Sequence, residues 1–214
     1  MFTGIVEAKG LISKKIPSTE GQRLQIEVPE GFNKDLKEGA SISVNGVCLT
    51  VTEYSNDQIS FDVIKETLRV TNLGDLNKNS EVNIERSLKF GDEVGGHLFS
   101  GHISCACKAS LNNIEGEVEI LVDKPENWGQ YIYPKGYVAL NGVSLTVGKV
   151  SDESFSVYLI PETIRSTNLL SVEDGARLNL EIDQGIMASY ENEKKILKNT
   201  GAVSYTHLTL PTKA

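Results

Sequence analysis

One string of residues occurs twice in this chain, and the repetition limits what it can fold into. Asn45-Gly46-Val47-Cys48-Leu49-Thr50-Val51 returns as Asn141-Gly142-Val143-Ser144-Leu145-Thr146-Val147, displaced by 141 − 45 = 96 residues. Glu66-Thr67-Leu68-Arg69-Val70-Thr71-Asn72-Leu73 matches Glu162-Thr163-Ile164-Arg165-Ser166-Thr167-Asn168-Leu169 at the same offset, and Asn83-Ile84-Glu85 matches Asn179-Leu180-Glu181. Phe2-Thr3-Gly4-Ile5-Val6 resembles Phe99-Ser100-Gly101-His102-Ile103 one residue out of step, at 99 − 2 = 97. A solenoid repeat is shorter than this, so the unit is a duplicated domain. Two copies of one domain imply two similar pockets, and two similar ligands.

A length of 214 residues accommodates two domains of that size. No run approaches the ~18 to 20 apolar residues that span a bilayer. The stretch Met1 to Glu7 has no basic region followed by an apolar core, so no secretory signal is read and the cytoplasm is the expected location. A net charge of −8 argues against a nucleic-acid partner, whose phosphates require a basic face. The three cysteines, Cys48, Cys105 and Cys107, are an odd and sparse set, so no structural disulfide is expected. Cys105-Ala106-Cys107 has neither zinc-knuckle nor Cys-x-x-Cys spacing, and reads as two structural cysteines on opposite faces of one strand.

Alternation with period two marks strands at Leu24–Val28, Ser41–Val44, Ile59–Val63, Val82–Glu85, Phe155–Leu159 and Leu178–Glu181. Asn45-Gly46, Asn56-Asp57, Asn141-Gly142 and Asp152-Glu153 supply turns between them. Short strands at this density indicate an all-β fold, and a six-stranded antiparallel barrel in each repeat would leave no open edge. Short helices are expected at Glu66 to Asn72 and from Pro161, which suits a first helical turn. These readings divide the chain into a barrel over 1–96, a second over 97–184, and a C-terminal helix over 185–200. The apolar residues Ile186, Met187, Tyr190, Ile196 and Leu197 make that helix amphipathic from about Ile186 to Lys198, suited to packing on another copy of the chain as an oligomerisation element or to docking on its own barrel. Residues 201–214 match neither repeat and read as a non-native tail.

No dinucleotide fingerprint, phosphate loop or Gly-x-Ser-x-Gly elbow is present, and His97 and His102 are too few for a histidine-rich metal centre. No metal and no cofactor are therefore expected. The candidates left are small polar residues placed alike in both copies. Cys48 and Thr50 lie two apart on one strand, so they share a face, as do Ser144 and Thr146. Either pair could be filler for a barrel interior, but their recurrence beside Lys65-Glu66-Thr67 and Pro161-Glu162-Thr163 favours a site. The exchange of Cys48 for Ser144 gives the two pockets different nucleophiles. His102 replaces Ile5 of the first copy and offers an imidazole, the side chain best suited to carry protons near neutral pH; a structural histidine stacked in the barrel mouth is the alternative. Lys135 is matched to Glu38. Asp183 follows the last strand and is matched to Arg86, an asymmetry that could mark catalysis.

Taken in order, these strings resemble the riboflavin synthase family (alpha-chain type), built from two lumazine-binding repeats. The match runs from Met1 to about Lys198, and includes Gly95-Gly96-His97-Leu98-Phe99-Ser100-Gly101-His102-Ile103. The resemblance implies tandem Greek-key barrels, each binding one 6,7-dimethyl-8-ribityllumazine. It implies a dismutation of two lumazines into riboflavin and 5-amino-6-ribitylaminouracil, without a cofactor. It also implies a homotrimer held by the C-terminal helix, with association with lumazine synthase as a further expectation. By the same resemblance Gly4, Ile5, Val6, Gly101, His102 and Ile103 line the ligands, with Cys48, Leu49, Thr50, Ser144, Leu145 and Thr146. Asp62-Val63-Ile64-Lys65-Glu66-Thr67 and Tyr158-Leu159-Ile160-Pro161-Glu162-Thr163 hold ring and ribityl chain, and Lys135 reaches a neighbouring chain's ligand. Cys48, His102, Ser144, Asp183 and Phe2 are the catalytic candidates. Asn141 stands where the family can carry an acid, so no role for that carboxylate carries over. The alternative is a lumazine-binding fluorescent protein of the same fold that does not turn its ligand over; such proteins tend to lose second-repeat binding residues, whereas Ser144, Thr146, Glu162 and Thr163 remain here.

Overall fold

The computed structural model describes residues 1–200 apart from 115, 172 and 174, so the expectation of a non-native tail at 201–214 lies outside the described residues. The first copy forms strands β1 (Ala8–Pro17), β2 (Gly21–Glu27), β3 (Ser41–Val44), β4 (Val47–Tyr54), β5 (Gln58–Ile64) and β6 (Glu81–Arg86). They close antiparallel in the order β1-β2-β5-β4-β3-β6. The second copy forms β7 (Cys105–Ile114), β8 (Glu117–Asp123), β9 (Tyr137–Leu140), β10 (Val143–Val150), β11 (Ser154–Leu159) and β12 (Ala176–Ile182), which close by the same circuit. Short helices α1 (Lys65–Val70) and α2 (Pro161–Ser166) follow β5 and β11. The expected pair of six-stranded antiparallel barrels is the observed fold.

Alternation decides what fills each barrel. In β4, Val47, Leu49 and Val51 point inward and join a core with Leu24, Ile26, Ile42, Phe61 and Ile84. Cys48 and Thr50 therefore stand on the outer wall, which removes the reading of them as interior filler. β10 repeats the pattern, with Val143, Leu145 and Val147 buried and Ser144 and Thr146 facing outward. The 45–46 and 141–142 hairpins have positive φ at both central residues (46° and 83°, 45° and 77°), the primed-turn geometry that the Asn-Gly sequence favours.

Three sequence correspondences need correction. Cys105 and Cys107 share a face, because residues two apart on a strand always do, and their sulfurs are 3.4 Å apart. The Lys135 and Gly39 N–H groups donate to the equivalent carbonyls of Val147 and Val51, so Lys135 corresponds to Gly39 and not to Glu38. Ile42 pairs with Arg86 as Val138 pairs with Ile182, which makes Ile182 the counterpart of Arg86 and leaves Ser87 opposite Asp183.

The barrels meet about a pseudo-twofold axis that passes between two glycines. A Cβ on Gly46 would lie 2.8 Å from the Gly142 nitrogen, and one on Gly142 would lie 2.7 Å from the Gly46 nitrogen. Six buried asparagines surround this point. Asn83 N–H donates to Asn45 Oδ1 and its Nδ2 donates to the Asn141 carbonyl; Asn179 does the same with Asn141 Oδ1 and the Asn45 carbonyl. Asn72 and Asn168 follow α1 and α2 at the start of 3-10 turns, and each reaches the opposite barrel. Asn72 N–H donates to Asn179 Oδ1 and Asn168 N–H donates to Asn83 Oδ1, at 2.6 and 2.7 Å.

The segment after Asp183 forms a separate unit, helix α3 (Gln184–Thr200), which begins one residue before the expected 185–200. Lys194 Nζ lies 4.8 Å from the Tyr190 ring centre on one side of it. No described helix is long and apolar enough to cross a membrane.

Truncating Asn179 to Ala would strand the Asn72 N–H and Oδ1 and the Asn45 carbonyl, all out of water. We expect Asn179→Ala to cost about 3 kcal/mol, seen in urea as a lower midpoint with an unchanged slope. A loss below about 1 kcal/mol would show that the network contributes little.

Candidate functional site

The strand that carries Ser144 and Thr146 forms one wall of an open cleft of about 390 Å³ on the second barrel. Tyr158 and Ile160 enter it from the end of β11, Thr163 from α2, and Lys135 from the turn before β9. Lys135 has φ 68°, a left-handed conformation that costs little for Gly39 at the matching position but is strained for a lysine. The corresponding outer face of the first barrel presents Cys48 and Thr50 from β4, Asp62 and Ile64 from β5, and Thr67 from α1. Asp62 there is gripped by the Arg23 guanidinium at 2.7 and 3.0 Å, which holds its carboxyl below the usual range.

Each face is completed by the other repeat. Phe2 and Phe99 exchange backbone hydrogen bonds at 2.9 and 3.1 Å, and this short bridge sends their chains in opposite directions. The Gly4 carbonyl accepts from Ser144 N–H at 3.0 Å, on the second barrel, and the Gly101 carbonyl accepts from Cys48 N–H at 2.9 Å, on the first. Both glycines have positive φ, and a Cβ on either would lie 2.5 Å from the Cβ of Ser144 or Cys48. The repeat-one string Gly4-Ile5-Val6 thus flanks site two, and Gly101-His102-Ile103 flanks site one.

Two buried carboxylates hold these segments. Glu85 Oε1 accepts from Thr3 N–H and Oγ1 at 2.6 and 2.8 Å, and its Oε2 accepts from Gly4 N–H at 3.1 Å. Glu181 does the same for Ser100 N–H and Oγ at 2.8 and 2.7 Å and for Gly101 N–H at 2.9 Å. Burial pushes the Glu85 carboxyl up to about 7 against the pull of the Thr3 and Gly4 donors. Burial also raises Glu181, opposed by its donors and by the charge of His102.

His97, which had no role in the sequence reading, is the main addition. Its Nδ1 lies 2.7 Å from Ser144 Oγ, and its backbone N–H donates to the same oxygen at 3.2 Å. The ring stacks on Tyr137, with centroids 5.6 Å apart at 21°. Burial holds the imidazole below its ordinary value, with the Asp183 carboxylate acting in the other direction. Ser144 and His97 therefore form a hydrogen-bonded pair, and the Asp183 charge acts on the ring to favour its protonated form. His97 lies before the matched strings, which begin at Phe2 and Phe99, so comparing them gave no signal for it. Glu85 and Glu181 did carry a signal, since the repeated Asn-x-Glu string contains both.

Other expected residues lie differently. Phe2 is fully buried against Phe99 and Ala139, so its ring anchors the crossing segment and offers a ligand no surface. The side chains of Leu49, Val63, Leu145 and Leu159 are in the barrel cores, leaving only backbone groups for binding. Glu66 and Glu162 form exposed ion pairs with Arg69 and Arg165 one turn away. His102, Lys65 and Pro161 are exposed, and Ile103 and Val6 half-buried.

Comparison with known proteins gives a consistent picture. A family model described as "Lumazine binding domain" matches twice, over residues 3–87 and 100–183. Riboflavin synthase of Escherichia coli (strain K12) is 41% identical over 199 residues, covering 92% of this chain and 93% of the relative. Riboflavin synthase of Mycobacterium tuberculosis (strain CDC 1551 / Oshkosh) is 36% identical, covering 94% of this chain and all (100%) of the relative. Among solved structures, LumP complexed with riboflavin superposes with a TM-score of 0.80 at 27% identity, covering 86% of this chain and 100% of LumP. LumP complexed with 6,7-dimethyl-8-(1'-D-ribityl) lumazine gives 0.77 at 26%, covering 86% and 99%. Two lumazine binding domains in one chain, and this identity over nearly its whole length, place the protein in the riboflavin synthase family.

Proposed function

We propose that the protein is a riboflavin synthase, a transferase that moves a four-carbon unit between two molecules of 6,7-dimethyl-8-ribityllumazine. The products are riboflavin and 5-amino-6-ribitylaminouracil. Their atoms together equal those of two substrates, so the overall reaction consumes no oxidant, reductant or co-substrate. The observation that carries this reading is the pair of matched outer faces that differ in nucleophile: a thiol at Cys48 in one, a hydroxyl joined to a histidine at Ser144 in the other.

The chemistry needs a base and a nucleophile. The 7-methyl group of the lumazine is acidic because its carbanion delocalises into the ring, so an imidazole is a sufficient base. His97, kept neutral by burial, takes the proton of Ser144 Oγ as that oxygen adds to the lumazine in site two. Asp183 stabilises the imidazolium that forms. Exposed His102 serves proton exchange beside Cys48 in site one. The Gly4 and Gly101 segments and the strand ends at Tyr158, Ile160, Asp62 and Ile64 orient the rings. Holding two heterocycles in register can contribute roughly 7 to 11 kcal/mol.

Both sites lie on the outer walls, and Ile64, Ile160 and Tyr137 beside them are exposed by 58%, 63% and 52%. We propose that a homotrimer formed through α3 sets site one of one chain against site two of the next and excludes water. In that arrangement Lys135 extends to the facing ligand. Association with lumazine synthase would bring the substrate from its source. The three free cysteines suit action in a reducing cytoplasm.

The second reading, a lumazine- or flavin-holding protein without turnover, is favoured by the likeness to LumP. It leaves the Ser144–His97 pair without a purpose. Purified protein mixed with 6,7-dimethyl-8-ribityllumazine alone decides between them. We expect one riboflavin for every two lumazines consumed; tight binding with lasting fluorescence and no riboflavin would establish the second reading.

Ser144→Ala and His97→Gln should each lower kcat by about 10²- to 10⁴-fold, and the double variant should be no slower than the worse single one. In the parent protein kcat/KM should fall on the acid side in two steps, near 7 as Glu85 takes up a proton and below 6.5, the ordinary imidazole value, as His97 does; only the second step should vanish in His97→Gln. Additive losses in the double variant would show that the two side chains act separately.

A further inference from the structure

We propose that Glu85 and Glu181 are positioning residues, each shaping the binding site of the barrel to which it does not belong. The inference rests on the proposed lumazine-binding function of the two sites. Glu85 lies on β6 of the first barrel, yet the chain it holds, Thr3-Gly4, packs on Ser144 of the second. Glu181 lies on β12 of the second barrel and holds Ser100-Gly101 against Cys48 of the first.

Each carboxylate collects two backbone N–H groups and one hydroxyl, and the hydroxyl passes the constraint on. Thr3 Oγ1 accepts from Ile5 N–H at 3.3 Å, and Ser100 Oγ accepts from His102 N–H at 3.3 Å. The carboxylates thus fix where Ile5 and His102 stand beside their sites. No slack exists between the held segment and the site strand, because the glycines are in direct contact with the Ser144 and Cys48 backbones. A segment that moves therefore moves the edge of the opposite pocket. All three bonds require acceptors. A glutamine of the same shape would turn an NH₂ donor against one of the donating groups whichever way it faces.

The test uses the full chain, with Glu85→Gln and Glu181→Gln, and 6,7-dimethyl-8-ribityllumazine as the probe. Three readings are taken: amide hydrogen exchange at residues 3–5 and 100–102, lumazine bound per chain, and protection of Cys48 from iodoacetamide, scored by peptide mass. For Glu181→Gln we expect exchange at Ser100 and Gly101 to rise about tenfold or more. One of two lumazines should be lost, and the ligand should no longer protect Cys48. For Glu85→Gln we expect faster exchange at Thr3 and Gly4, loss of the other lumazine, and intact protection of Cys48. Equal effects of both variants on both sites, or none on either, would overturn the proposal. If Glu85→Gln does not fold, Thr3→Ala removes one donor and keeps the carboxylate; it should weaken only the lumazine that leaves Cys48 exposed. If the parent protein binds no lumazine, the functional reading falls, and the crosswise exchange pattern alone decides the role of the two carboxylates.

Discussion

Six asparagine side chains, buried where the barrels meet, determine how everything else is placed. An amide is an uncharged side chain whose planar end carries both an acceptor oxygen and two donor hydrogens. Asn45 and Asn141 each shape their own hairpin, Asn83 and Asn179 carry bonds across the axis, and Asn72 and Asn168 lock a turn of one repeat to a strand of the other. Hydrophobic contact alone would leave the two barrels free to slide, since apolar packing is non-directional. A buried amide network penalises any other register, because each displaced group would sit unsatisfied out of water. The two glycines on the axis allow the backbones to approach within that geometry.

With the barrels fixed, the sites follow. The outer wall is not where a barrel protein usually keeps its ligand, but here the interiors are filled by Val, Leu, Ile and Phe. The face opposite each core stripe is free to carry Cys48 and Thr50, or Ser144 and Thr146. The two copies have kept the scaffold of that face and changed its chemistry. A thiol has become a hydroxyl, Asp62 held by Arg23 has become Tyr158, and Gly39 has become Lys135. Histidine 97 adds a base on one side only.

Much of this was legible in the sequence, for identifiable reasons. Period-two alternation located six strands, and the Asn-Gly pairs located the hairpins whose φ values only such residues adopt cheaply. β1 was missed because its register shifts between Ile12 and Lys14, and a bulge breaks alternation. β9, only four residues long, is buried at three successive positions and so shows no alternation to find. The facing pairs Cys48 with Thr50 and Ser144 with Thr146 were readable from spacing alone. The Ser144–His97 contact was not, because it joins residues 47 apart through a crossing that no local pattern encodes. Aligning Lys135 with Glu38 and Asp183 with Arg86 failed for a related reason. The offset of 97 holds only for the N-terminal strings, and the hydrogen-bond ladder shows that both positions already follow the offset of 96.

The exchange of N-terminal segments has a consequence for how such a chain can change. Neither repeat is a module that could be cut out and keep its pocket, because the piece that finishes the pocket is encoded in the other half. A lone repeat would have to borrow that piece from a second molecule. After joining, the halves cannot drift independently. A change at Gly4 is felt at Ser144 and a change at Gly101 at Cys48, so each copy is constrained by the chemistry of its sibling.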